Sequence, residues 1–201
     1  MRKALLAAAF AASTFSGILQ AQGPIRMIGG LAAVPGGYSI VEIEGTTVLL
    51  AADVELLTFV NRTVDVTGSL RDDPNSPTAV FDVTSIKNSS SVFTTGSARI
   101  GRMMSMRVKH DGPSQFFVFL SLAPAHTPLE SYAPIASGTL WVDPIGLQTI
   151  AGGLMFDRWD GDLVIPNDPS LIGLTCYLQA AAHSPMAPLL FQNGKKITIG
   201  S

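Results

Sequence analysis

Three histidines, His110, His126 and His183, are the residues best suited to acid–base work or metal ligation. No two of them share metal-ligand spacing, and a zinc site would need three separate loops to converge. Surface or capping roles are the simpler expectation. Asp157, Asp160 and Asp162 surround Gly161 and offer oxygens of the kind Ca²⁺ prefers. Their spacing is not that of an EF-hand, and an ordinary acidic turn accounts for them. Asp72, Asp73 and Asn75 make a weaker version of the same cluster. Asp157 and Asp160 are also the candidates for a hydrolase, since two nearby carboxylates can split their pKa values. Trp141 and Trp159 are able to stack on sugars, although tryptophans in β-sandwiches usually go to the core. Neither a G-x-S-x-G elbow nor a G-x-x-x-x-G-K-[ST] phosphate loop occurs. The residues therefore nominate no catalytic, metal-binding or cofactor-binding set, and no cofactor.

The elements that would position such groups are clearest from Leu163 to Ala180. Ile165-Pro166-Asn167-Asp168-Pro169-Ser170 is dense in turn chemistry, so Asn167 and Asp168 read as turn caps before ligand contacts. The period then becomes two. Ile172, Leu174, Cys176, Leu178 and Ala180 are expected inward, against Gly173, Thr175, Tyr177 and Gln179. A charge at Leu174 or Leu178 should then unfold the module, and Cys176 reads as a buried thiol rather than a nucleophile.

Met1-Arg2-Lys3 followed by an apolar run from Ala4 to Phe15 has the pattern of a secretory signal peptide, with Ala21 before the cleavage point. The run is too short for a transmembrane anchor, so no membrane span is expected in the mature chain. Without Arg2 and Lys3 the 13 basic residues become 11, against 15 acidic, a formal charge of −4. No basic cluster remains to track phosphates, which argues against nucleic acid as a partner. Charged residues make up 14% of the chain, against about 25% in ordinary domains. Glycine and proline punctuate a sequence rich in Val, Leu, Thr and Ser, as many short strands require. A lone cysteine excludes an intrachain disulfide framework.

The first half reads as strand Tyr38 to Glu44, strand Val48 to Ala51, and a short helix capped by Asp53 with Val54, Leu57 and Val60 on one face. A strand through Val64 and Val66, a polar loop from Arg71 to Pro77 and a strand from Val80 to Ile86 follow. The run VLLAADVELLTFVNRTVDVTGSL with AVFDVTSI resembles the small OB-fold modules of secreted bacterial proteins. The matching positions are Leu56, Leu57, Val60, Val64, Val66, Gly68, Val83, Thr84 and Ile86. The resemblance implies a five-stranded barrel; four strands are secure, so the fifth must come from Met27–Val34 or the barrel is incomplete. It also implies an open face of the kind that binds oligonucleotides or oligosaccharides. Tyr38 and Phe59 are the only aromatics there before Phe81.

Residues 88–98 are small and polar and read as a linker, interrupted by Val92 and Phe93. Beyond it, Met104, Met106 and Val108 alternate with polar residues. His110-Asp111-Gly112-Pro113 reads as a turn, and Phe116 to Leu122 as a central strand covered on both faces. Gly138 to Val142 and Gly153 to Phe156 read as strands, Asp157 to Asp162 as a turn, and Phe191 to Gly200 as a terminal hairpin turning at Asn193-Gly194. The phrases FFVFLSLAPA, IPNDPSLIGLTCYLQA and NGKKITIG resemble a C-terminal β-module of exported bacterial proteins. This resemblance implies fold and location only.

The expected architecture is all-β: a signal peptide (1–21), a small OB-like barrel (22–87), a linker (88–98) and an antiparallel β-sandwich (99–201). The expected function is an exported, non-catalytic protein with a binding or envelope-structural role and a protein or glycan partner. A carbohydrate- or small-ligand-binding module is the first alternative, and a hydrolase with dispersed acidic residues the second.

Overall fold

A computed structural model of the chain describes residues 25–40, 48–51, 55–71, 80–129 and 135–201. The expected signal peptide, Asp53, Val54, Asp72, Asp73 and Asn75 lie outside them. The described chain is all-β, as the patterning requires. Among the described residues no helix is long and apolar enough to cross a membrane.

The first half closes into a barrel. Its strands are β1 (Ile25–Val34), β2 (Gly37–Ile40), β3 (Val48–Ala51), β4 (Thr63–Arg71) and β5 (Val80–Asn88), in the order β1-β2-β3-β5-β4. β1 supplies the fifth strand that the pattern left open. It closes the barrel by splitting its length: Ile25 to Gly30 pair with β4, and Leu31 to Val34 pair with β2. β3 and β5 run parallel; the other neighbours are antiparallel. Period-two alternation turns Met27, Val64, Val66 and Phe81 into the barrel, where they are buried with Ile40 and Leu56. The expected helix is a single 3-10 turn, Leu56–Phe59, and its face is corrected. Leu56 is the residue that plugs the barrel, while Leu57 stands exposed. Phe59, three residues on and eclipsing Leu56, packs half-buried against the same cluster.

The linker carries a strand, β6 (Val92–Thr95), and Phe93 is fully buried. β7 (Met103–Ser121) follows, then β8 (Pro124–Pro128), β9 (Ala136–Ser137), β10 (Thr139–Val142), β11 (Gln148–Val164), β12 (Thr175–His183) and β13 (Leu189–Thr198). β11, β7, β12, β13 and β9 form one sheet in that order, and β6 joins it at β7. β11 flanks β7 along nearly its whole length. The other side of β7 is shared, with β6 beside Met106 to Lys109 and β12 beside Gln115 to Ser121. A 19-residue strand spans roughly 60 Å at about 3.3 Å per residue and must bend to enclose a core.

The bend corrects two expectations. His110-Asp111-Gly112-Pro113 and Asp157 to Asp162 are not hairpin turns; both lie inside continuous strands. The ladder slips between Phe156 and Arg158, where Asp157 (φ 62°) and Gly112 (φ 75°) take left-handed conformations. The Gly112 N–H donates to Asp157 Oδ1 at 2.9 Å and fixes the kink. The residue types that make turns also make bulges, so the sequence pattern alone does not separate the two.

The curl brings Phe93, Met104, Met106 and Val108 onto Phe116, Leu178 and Ile197 in one core. Polar side chains of β13 close it. Asn193 Nδ2 donates to the Phe93 carbonyl at 2.8 Å, and its Oδ1 accepts from the Phe93 N–H at 2.9 Å. Asn193-Gly194 is therefore not a turn. Asn193 is buried within β13 and serves β6 as a strand partner would.

The opening phrase of the last third is corrected at its start. Pro169–Leu171 is a 3-10 turn, capped by Asp168, whose carboxylate accepts from Ser170 N at 2.9 Å. Gly173 then turns the chain with φ 85°. Ile172 and Leu174 end up 47% and 41% exposed, and the inward set begins at Cys176 and continues through Leu178, Ala180 and Ala182. Leu178→Lys should therefore abolish cooperative folding, because burying such a side chain stabilises by about 1.5–3 kcal/mol and an unpaired buried charge costs more. Leu174→Lys should shift the urea midpoint only slightly. Equal losses in the two variants would refute this placement.

The other face of β12 is covered as well. β8 and β10 pair as a small second sheet above it, so the sandwich has a short upper layer. Gln179 lies buried between the layers. Trp141, on β10, is fully buried in the same cluster as Ile25, Met27 and Phe81 of the barrel. β1 also lies against β13, and Thr139 Oγ1 donates to the Arg26 carbonyl at 3.4 Å. The barrel and the curled sheet thus share a core.

Candidate ligand groove

Strand register builds a polar row on the outside of the barrel. Arg26 on β1 stands opposite Thr67 on β4, and Thr67 stands opposite Ser85 on β5; one step along, Asp65 faces Lys87. With Ile86 these residues line a depression of about 330 Å³, at the small end of the range for ligand pockets. Arg26 grips Asp65 through two bonds, Nε to Oδ1 at 2.8 Å and Nη2 to Oδ2 at 2.6 Å. Lys87 Nζ lies 3.4 Å from Oδ2, and its side chain is 74% exposed. The Asp65 carboxylate is buried and locked in place; the ammonium reaches into solvent. The Thr67 and Ser85 hydroxyls beside this Arg26–Asp65–Lys87 ion cluster, with the exposed Lys87 ammonium, are able to hydrogen-bond a polyhydroxylated molecule and pair with a negative group on it.

A second polar cluster surrounds His110. Its Nδ1 is 2.5 Å from Ser91 Oγ and its Nε2 is 3.2 Å from Ser184 Oγ. Ser184 Oγ lies 3.2 Å from Ser114 Oγ, which donates to the Gly112 carbonyl at 3.1 Å. Burial pushes the His110 pKa below the ordinary imidazole range. Asp111 opposes that shift, and the positive charge of Arg26 adds to it. A Ser–His contact is the start of a nucleophilic site, but Ser91 and Ser114 are both buried. The cluster ties three segments together: the connection before β6, the kink of β7 and the turn after β12.

The depressed pKa has a sign. A histidine that is harder to protonate when folded contributes full stability above its ordinary pKa of about 6.5 and loses it as pH falls below that value. The melting temperature should drop between about pH 7.5 and 5.5, and the drop should be smaller in His110→Gln. Identical pH profiles for the two proteins would contradict the burial of this ring.

The residues nominated by sequence do not converge. Asp160 is occupied by two guanidiniums, with Arg107 Nε at 2.5 Å from Oδ1 and Arg158 Nε at 2.8 Å from Oδ2. Asp157 holds the bulge, and the chain between Asp157 and Asp162 is extended. The expected acidic turn is therefore absent. Among the described residues no group of three His, Cys, Asp or Glu side chains gathers as a metal site. His126 lies in β8, and His183 ends β12 with a buried Nδ1. Trp159 packs on Phe116, ring centroids 4.7 Å apart, and Trp141 is core; Tyr38 and Phe59 lean on the barrel interior. Cys176 is buried, which raises its thiol pKa and makes it inert.

The groove residues escaped sequence reading for a physical reason. Asp65, Thr67, Ser85 and Lys87 alternate with Val64, Val66 and Ile86, and every solvated strand face looks like that. Only the register that brings Arg26 beside Asp65 and Thr67 makes the row a site. Ser91, Ser114 and Ser184 carry no spacing signal at all. Comparison with protein-family models, curated proteins and solved structures finds no match to this chain.

Proposed function

We propose that the chain is an exported, non-catalytic binding protein, and that the barrel groove takes a glycan, with an acidic sugar favoured. The observation that carries this reading is the fixed Arg26–Asp65 fork beside Thr67, Ser85 and the exposed Lys87 ammonium. The Thr67 and Ser85 hydroxyls match those of a sugar ring, and a sugar carboxylate matches the ammonium. The closed five-stranded barrel supports the likeness to OB-fold modules, which bind oligosaccharides on an outer face. The basic, hydrophobic leader of residues 1–15 supports export.

A glycan array followed by calorimetry tests the reading. Ser85→Trp and Lys87→Glu alter exposed positions and leave the core alone. Both should weaken binding by about tenfold or more. Absence of binding to any glycan, or unchanged affinity in both variants, would end it. The Ser184–His110 contact favours one rival, acyl transfer. If a serine-reactive phosphonate labels the folded protein and Ser184→Ala abolishes the labelling, a hydrolase replaces the binding protein.

A further inference from the structure

We propose that β11 is a homodimerisation edge, and that two copies of this chain pair their β11 strands antiparallel about Trp159. β11 forms the end of its sheet; among the described residues only β7 pairs with it. An edge of this length presents a row of backbone donors and acceptors to solvent. Its outward face carries Arg158, Asp160 and Asp162 in the middle and is apolar at both ends. Leu154, Phe156 and Val164 are 84%, 78% and 69% exposed.

The occupant follows from the strand's own sequence. In a two-fold antiparallel pair centred on Trp159, Arg158 of one copy stands opposite Asp160 of the other, twice over. In the same register Leu154 stands opposite Val164, and Phe156, directly opposite Asp162, reaches Val164 diagonally. These residues all point outward on β11, as their exposure shows. Cross-strand ion pairs and apolar pairs are the unit of sheet stabilisation. Left-handed Asp157, which breaks the regular ladder, falls opposite Gly161, where there is no side chain to obstruct it. An unrelated partner strand has no reason to satisfy all of these positions; a second copy does so by symmetry. Asp160 already holds Arg107 and Arg158 of its own copy, so the pair would form a six-charge network across the two-fold axis.

Sedimentation equilibrium of the purified chain over a concentration series up to about 0.5 mM tests this. The wild type should associate to a dimer. Arg158→Asp places like charges opposite each other and should weaken the dimer by about tenfold or more. Leu154→Lys should do the same by an independent route. The double exchange Arg158→Asp/Asp160→Arg restores the cross-strand pairs and should recover most of the lost affinity. Thermal melts establish that each variant is folded. A wild type that stays monomeric throughout, including one that instead captures a different protein, would overturn the proposal. So would a dimer indifferent to Arg158→Asp and Leu154→Lys, or a double exchange no better than the single change.

Discussion

Trp141→Ala is expected to destabilise the protein by about 3–5 kcal/mol, the cost of emptying a large aromatic site. The side chain is carried by β10 yet fully buried among Ile25, Met27 and Phe81 of the barrel. The loss should therefore fall on the barrel first and uncouple it from the curled sheet. The chain has two tryptophans, so in this variant Trp159 alone reports the curled sheet by fluorescence. In the wild type, circular dichroism and fluorescence should trace one urea transition. In Trp141→Ala the dichroism should begin to fall first, at a lower midpoint than the Trp159 signal. Coincident transitions at the wild-type midpoint would remove Trp141 from the shared core. Trp141→Phe should lie between the two, since it refills part of the cavity.

Gln179→Leu carries the second large effect. The Trp141 N–H donates to Gln179 Oε1 at 2.8 Å, and Gln179 Nε2 donates to the carbonyls of Thr139 and Gln192, both at 2.7 Å. One amide thus satisfies three backbone groups between the two layers, on a strand face already out of reach of solvent. Leucine keeps the volume and abandons all three. Leaving a buried polar group unsatisfied costs about 1–3 kcal/mol, and partial relaxation brings the expected total to about 2–4 kcal/mol. Gln179→Glu is the sharper diagnostic. It keeps the acceptor for Trp141 but sets a charge against two carbonyl oxygens, so it should be less destabilised at acid pH, where the carboxyl is protonated and donates. Chemical denaturation at two pH values reads both effects. A loss below about 1 kcal/mol in Gln179→Leu would show that the amide is not holding the layers.

The strands were legible where one face is buried and the chain is regular. Met104, Met106 and Val108 alternate inward, and so do Cys176, Leu178 and Ala180. The all-β class and the burial of Cys176 follow from that alternation; the strand near Met27 comes from the resemblance to OB-fold modules. What stayed hidden is everything set by non-local register. Gly112 and Asp157 look like hairpin turns because a bulge draws on the same residue types. Asn193-Gly194 carries the strongest hairpin signal in the chain, yet Asn193 is spent on the backbone of Phe93, a hundred residues away. Leu174 continued a period that Gly173 had already broken. Trp141 carried two readings, stacking platform and core, and only the packing of β10 on the barrel decides between them. The groove depends on a pairing between β1 and β4, strands separated by the whole first half of the barrel, so no local pattern announces it.

A backbone amide NMR titration with the tightest-binding glycan tests the ligand site most directly. The groove reading predicts shifts concentrated at Arg26, Asp65, Thr67 and Ser85 to Lys87, with little change near the kink of β7. Shifts centred instead on Ser91, His110 and Ser184, or no shifts at saturating ligand, would contradict it.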